Sequence, residues 1–171
     1  MNFFVFIRCG VEDVEKDEFQ IRVQVTDTDP ITPGVAISEP LTVHITEPVG
    51  HDYAGKDSTD TGRLWKFLSS APSNLKVLLS HWGGGFGFYE LMPEVAESLQ
   101  NVFFDTAASP FLYKPQVYSA GVGLVGIEKV LFGSDYPLMG YSRALAQLAE
   151  SGLPKPQQHS VLANGLQLLG R

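Results

Sequence analysis

From Leu41 onward, short apolar segments alternate along the chain with amphipathic ones. The apolar runs predict four strands: Leu41–Thr46, Leu75–Ser80, Asn101–Thr106 and Lys129–Phe132. The amphipathic segments predict five helices: Arg63–Ser70, Tyr89–Gln100, Pro115–Gly126, Ser142–Glu150 and Gln158–Leu169. A spacing of roughly thirty residues between strands is typical of βαβ units. Because these strands are apolar rather than alternating, we expect a parallel sheet that is covered on both faces.

The first forty residues have a different pattern. Phe3–Ile7 and Phe19–Thr26 predict two strands, and the acidic stretch Glu12–Glu18 between them predicts a solvated turn or short helix. Pro30, Pro33 and Pro40 then follow in close succession, which excludes an ordinary helix over residues 30–40. We therefore divide the chain into an irregular segment, residues 1–40 with remnant strands, and a regular α/β region, residues 41–171.

Composition narrows the class of protein. The chain has 171 residues, 44% of them hydrophobic, which is enough to form a core. The net charge of −7 argues against a nucleic-acid binder, which needs clustered Lys and Arg. Cys9 is the single cysteine, so no disulfide can form within the chain, and we expect a reducing, cytoplasmic location. No apolar run approaches the roughly 20 residues of a membrane helix, and we expect no membrane partner.

Four polar residues lie in or just after the predicted strands. His44 lies inside the first strand, His81 follows the second, Asp105 is near the end of the third, and Asp135 follows the fourth. In parallel α/β folds the carboxyl ends of the strands share one rim, where functional sites form. Imidazole and carboxylate ligands without thiolate suit Zn²⁺, Mn²⁺ or Fe²⁺. The pattern therefore predicts a metal-dependent site at this rim.

Each of these residues also has a structural explanation. His44 taken alone is typical of a buried, hydrogen-bonded core histidine, and Asp135 before Tyr136 could be a turn residue. Asp105 could equally cap a turn or support the site. His51 and His159 are expected at the surface. The glycines after Trp82 are not followed by the Lys-Ser or Lys-Thr of a phosphate loop, and no Gly-x-Ser-x-Gly nucleophile motif occurs.

Four ordered motifs and the C-terminal segment resemble the amidohydrolase-related family, in its aminocarboxymuconate-semialdehyde decarboxylase-like branch. Val43–His51 looks like the fifth-strand histidine segment of that family, and Leu78–Gly85 looks like its sixth-strand histidine and glycine loop. Asn101–Ser109 is similar to its seventh strand, and Val130–Pro137 to its eighth-strand aspartate motif. Val161–Gly170 looks like its closing helix. The resemblance covers Leu41 to Arg171. It implies a partial (β/α)₈ TIM barrel of the metal-dependent hydrolase type, a C-terminal half with roughly strands five to eight.

The resemblance also implies roles for individual residues. His44 and Asp135 would be ligands of a divalent metal, most simply zinc, with manganese or iron as alternatives. His81 would be the acid/base imidazole, and Asp135 would also orient or deprotonate metal-bound water. We further expect Trp82, Tyr136 and, from the loop after the first strand, His51 to contact a small-molecule substrate. The implied chemistry is hydrolysis of C–N or ester bonds, hydration, or non-oxidative decarboxylation.

The chain departs from the family pattern in one major respect. The His-x-His or Glu-x-His of the family's first strand, which supplies two metal ligands, is absent from this sequence. A full barrel takes roughly 250 residues. We therefore expect a truncated gene, a shifted reading frame near residue 40, or an incomplete gene model.

Two hypotheses about activity follow from this departure. The first is a metal-dependent hydrolase or decarboxylase that is active when the missing portion is supplied. The second is a non-catalytic barrel fragment that binds a partner or has no activity. Because a partial barrel exposes strand edges, we also expect association of copies through these edges.

Overall fold

The computed structural model describes residues 40–50, 56 and 61–169. The two predicted N-terminal strands, Cys9 and His51 lie outside the described residues. In the part of the chain that is described, no helix is long and apolar enough to span a membrane.

The described residues form a parallel sheet of four strands in the order β1-β2-β3-β4. The strands are β1 (Leu41–Val43), β2 (Val77–Leu79), β3 (Val102–Asp105) and β4 (Val130–Leu131). Each pairs in parallel with the next along the chain. The predicted parallel α/β architecture is thus confirmed, and every strand is shorter than its apolar run. The second run, for example, stops pairing before His81, where the backbone turns to a φ of 54°.

Within the part of the chain that the structure describes, six helices connect and cover these strands. They are α1 (Thr61–Ser70), α2 (Pro93–Ser98), α3 (Ser109–Leu112), α4 (Val117–Val125), α5 (Tyr141–Ala149) and α6 (Lys155–Leu168). Two further segments of the described chain, His81–Leu91 and Ile127–Lys129, contain 3₁₀ turns and complete the connections. The first is not a continuous helix, because Trp82–Gly85 have non-helical backbone angles. The helix predicted over Tyr89–Gln100 begins only at Pro93, because proline fits the first turn, where its missing N–H costs nothing. The short helix α3 was not predicted.

The core lies on the helical side of the sheet. Alternate strand residues Val77, Leu79, Val102 and Phe104 are buried and belong to one cluster with helix side chains. Their neighbours Leu78 and Phe103 point to the other face and are only partly buried. We predicted that both faces of the sheet would be covered. Within the described residues one face is covered, and apolar side chains on the other face are partly exposed.

The outer edge of β4 is covered by the C-terminal helix. Asn164 in α6 donates through Nδ2 to the carbonyl oxygens of Val130 at 2.8 Å and Ile127 at 2.7 Å. The Phe132 N–H donates to the carbonyl oxygen of Val161 at 3.0 Å. These bonds occupy groups that a further strand would use. An edge protected in this way is less open to pairing with another copy than strand number alone would indicate.

Candidate functional site at the carboxyl ends of the strands

The sheet brings the four predicted polar residues to one end. His44 directly follows β1, His81 follows β2 after one intervening residue, and Asp105 is the last residue of β3. Asp135 lies four residues beyond the end of β4. The imidazole rings of His44 and His81 are in contact, with their centroids 4.8 Å apart and their planes at 84°. Parallel pairing of neighbouring strands therefore produces a two-histidine contact from residues 37 apart in sequence.

An unusual backbone conformation carries His81 into this position. Five consecutive residues from His81 to Gly85 have positive φ, between 54° and 87°. Glycine adopts this left-handed region freely, but a residue with a Cβ pays roughly 1–2 kcal/mol for it. His81 and Trp82 therefore carry backbone strain, and residues of this kind concentrate at functional sites.

The segment that carries Asp135 is fixed against the end of β3. The hydroxyl of Thr106 donates to the carbonyl oxygen of Gly133 at 3.1 Å and accepts the N–H of the same residue at 3.0 Å. A Cβ on Gly133 would lie 3.1 Å from the backbone nitrogen of Ala107, so the two chain segments are in close contact. Asp135 itself has a φ of 66°. Like His81, it is held in the left-handed region at the carboxyl rim.

Burial and neighbouring charges both influence the pKa of His81, whose exposed fraction is 7%. Burial lowers the pKa of His81 because it penalises the charged imidazolium, and His44 lowers it further. The carboxylates of Asp135 and Glu47 act in the opposite direction on this pKa. The imidazole of His81 therefore lies within electrostatic reach of the other three side chains.

Asp105 is also embedded in this rim. Desolvation raises the pKa of its carboxyl group to about 6, against backbone hydrogen bonds from His81 and Ala107 and a side-chain hydrogen bond from Ser80, all of which favour the ionised form. Its Oδ1 accepts the N–H of His81 and the N–H of Ala107, both at 2.9 Å. These contacts fit both roles that the sequence left open for Asp105, because the Ala107 bond caps the turn after β3 and the His81 bond reaches the histidine turn.

Glu47 and Tyr113 are site residues that the sequence did not reveal. The Tyr113 hydroxyl donates to Oε1 of Glu47 at 2.7 Å and thereby links the segment after β1 to the end of α3. Burial and Glu47 together raise the pKa of Tyr113. The two residues are 66 positions apart. The nearest available signal was the position of Glu47, three residues after His44.

The residues predicted to contact substrate have different surroundings. Trp82 is buried, and its indole N–H donates to the Ser109 hydroxyl at 2.7 Å. Its ring meets Tyr118 edge-on at 5.3 Å, so its contacts are those of a core residue. Tyr136 is exposed and stacks on Tyr141 at 5.5 Å, beside Asp135.

The metal-binding capacity of the described residues is incomplete. Among residues 40–50, 56 and 61–169, no three or more His, Cys, Asp or Glu side chains are grouped so as to hold a metal ion. Catalytic zinc sites normally use three protein ligands. His44 and Asp135, the ligands implied by resemblance, do not therefore make a full site within this part of the chain.

These features define an α/β protein whose polar site lies at the carboxyl ends of parallel strands. The family described as amidohydrolase has a sequence model that matches residues 40–164. The chain belongs to this amidohydrolase family. Among curated proteins, no significant match is found.

One solved enzyme structure with a TM-score above 0.5 shares the fold, and a second is similar below that value. The 2,6-dihydroxybenzoate decarboxylase from Rhizobium has a TM-score of 0.53 and 14% identity, over 77% of this chain and 51% of that one. Dihydroxybenzoic acid decarboxylase from Polaromonas, with bound manganese and the inhibitor 2-nitroresorcinol, has a TM-score of 0.49 and 18% identity, over 57% of this chain and 35% of that one. The chain thus spans about a third to a half of the length of these neighbours.

Proposed function

We propose that this chain carries the carboxyl-rim half of a metal-dependent amidohydrolase site, formed by roughly strands five to eight of a (β/α)₈ barrel. The proposed activity is hydrolysis of a C–N or ester bond, or non-oxidative decarboxylation, of a small molecule. The decarboxylase-like branch named above is the one to which we assign it. Membership of the amidohydrolase family supports the reaction class.

The observation that carries this proposal is the contact between His44 and His81. Their rings meet at 4.8 Å at the ends of adjacent parallel strands, although each histidine lies in a separate βα segment. His81 is buried and lies on a strained turn. The backbone of Asp135 is also in the left-handed region. Strained polar residues that converge on one rim are expected of a reactive site and are costly for a merely structural one.

In this proposal each site residue has a separate role. His81 transfers a proton to or from the reacting group, which an imidazole can do as acid or base. Asp135, whose charge acts on His81, orients the polar end of the substrate or an attacking water. The Glu47–Tyr113 hydrogen bond holds the segment after β1 beside these groups. Tyr136, which follows Asp135 and is exposed, contacts the substrate on the solvent side of the site.

For metal binding, we assign His44 and Asp135 as the donors that the described residues contribute. Two donors are fewer than a catalytic zinc site uses, and in this proposal a second polypeptide supplies the remaining ligands. Zinc is the first candidate by ligand type, with manganese and iron as alternatives.

The second candidate function is a non-catalytic fragment that binds a partner or is inactive. The incomplete ligand group among the described residues favours it. The partly exposed apolar residues on the second face of the sheet, Leu78 and Phe103, also favour it, because such a face gains stability when it is covered.

Turnover and its dependence on His81 distinguish the two candidates. The purified chain, supplied with saturating Mn²⁺ or Zn²⁺ and with a separate polypeptide that carries the family's first-strand His-x-His segment, is assayed for CO₂ release from aryl carboxylates and for acid release from aryl esters and anilides. We expect His81→Ala to lower turnover by roughly 10²–10⁴-fold, the usual contribution of a positioned acid or base.

The matched control is His159→Ala, which removes an exposed imidazole on α6 and is expected to leave turnover unchanged. Equal turnover by the His81→Ala variant and the unmodified chain would contradict the assigned role. No turnover by the unmodified chain on either group of substrates would favour the non-catalytic candidate.

A further inference from the structure

We propose that Asp105 is a positioning residue for His81, and that its carboxylate fixes the left-handed turn that directs the His81 imidazole to His44. This inference rests on the proposed function for its catalytic meaning. Its structural content depends only on the contacts of Asp105. It identifies the end of β3 as the part of the fold that sets the geometry of the acid/base group.

The His81 turn requires such a support. Residues 81–85 all have positive φ, and the first two, His81 and Trp82, have side chains that disfavour this conformation. A run of left-handed residues is rare, because only glycine adopts this region without cost. Contacts with the surrounding structure must therefore offset the strain of the first two residues.

Asp105 supplies the contact at the first of these residues. A single oxygen, Oδ1, accepts the His81 N–H and the Ala107 N–H, both at 2.9 Å. The carboxylate thus joins the turn after β2 to the turn after β3. Hydrogen bonds to an ionised acceptor are stronger than neutral ones, and loss of the acceptor would leave two N–H groups without this partner.

The remaining supports act on the residues that follow. The indole of Trp82 donates to Ser109, which fixes the second residue of the turn. A Cβ on Gly84 would lie 2.7 Å from Ile45 Cγ2 and 3.0 Å from the Thr46 carbonyl oxygen, so the fourth residue is closely packed against the segment after β1. The backbone N–H of His81 itself is held by Asp105.

The contact between the two imidazoles provides the measurement. The chain contains four histidines, so ¹³C-labelled histidine gives a simple NMR spectrum. A nuclear Overhauser effect between the His44 and His81 rings reports their contact in the unmodified chain. Asp105→Asn keeps an oxygen that can accept both N–H groups, whereas Asp105→Ala removes it. We expect the cross-peak to persist in Asp105→Asn and to weaken at least about threefold in Asp105→Ala.

Amide exchange of Val102–Phe104 in β3 serves as the control for the fold and is expected to stay protected in both variants. If Asp105→Ala does not fold, Asp105→Glu replaces it, since the longer side chain displaces the acceptor, and the same weakening is expected. A cross-peak of full intensity in the variant that removes or displaces the acceptor would overturn the proposal, as would its loss in Asp105→Asn. Because this readout needs no turnover, it is independent of the His81→Ala assay.

Discussion

Gly121→Ala is expected to lower the free energy of unfolding by about 2 kcal/mol, whereas Gly123→Ala in the same helix is expected to raise it by up to about 1 kcal/mol. A Cβ on Gly121 would lie 2.3 Å from Cζ3 and 2.8 Å from Cε3 of Trp82. The indole cannot easily move away, since it is buried and hydrogen-bonded to Ser109. Overpacking at such a site typically costs 1–3 kcal/mol.

Gly123 is the matched control, because a Cβ there meets nothing within 4 Å. It lies inside α4, where alanine is favoured over glycine by roughly 1 kcal/mol. Denaturant unfolding of the two variants beside the unmodified chain measures the difference. Equal changes of the same sign would contradict the close packing of α4 against Trp82.

Replacing Asp105 by Asn is expected to change how stability depends on pH. The pKa of Asp105 is raised from its ordinary value of 3.8 to about 6, chiefly by desolvation. The folded state therefore binds this proton more tightly than the unfolded state. Its stabilising contribution is complete below pH 3.8 and is lost as the pH rises through about 6. The two pKa values differ by an amount worth about 3 kcal/mol.

Because the Asn side chain does not ionise, the variant does not lose stability as the pH rises through the pKa of Asp105. The free energy of unfolding of Asp105→Asn, minus that of the unmodified chain, should rise by about 2.5 kcal/mol between pH 4 and pH 7 and then level off. Urea unfolding at a series of pH values measures the difference, in which titrations common to both chains cancel. A difference that is flat or falls over this range would show that the carboxyl group is better solvated than the fold indicates.

The parallel arrangement of strands and its polar rim could be predicted from the sequence. Apolar runs separated by helical segments allow few arrangements, and parallel connectivity brings His44, His81 and Asp105 to one end whatever the details of packing. The glycines at positions 83–85 favour a break after the second predicted strand. They did not indicate that His81 and Trp82 would share its left-handed conformation, because those two residues disfavour it.

Contacts between distant parts of the chain account for what could not be predicted. The Glu47–Tyr113 hydrogen bond, and the protection of the β4 edge by Asn164, depend on side chains that meet only after the helices have docked. Trp82 illustrates the same limit. Its expected substrate contact stays a prediction, and burial of its indole depends on the small residue Gly121, which lets α4 approach.

The measurement that tests the central claim most directly is the metal content of the purified chain before and after treatment with a chelator. We predict zinc at well below one ion per chain, easily removed, because His44 and Asp135 are fewer donors than a catalytic zinc site uses. His44→Ala or Asp135→Ala should abolish this binding, and His81→Ala should retain most of it. One ion per chain that survives chelation would contradict the account, because it would require a complete set of ligands within this polypeptide.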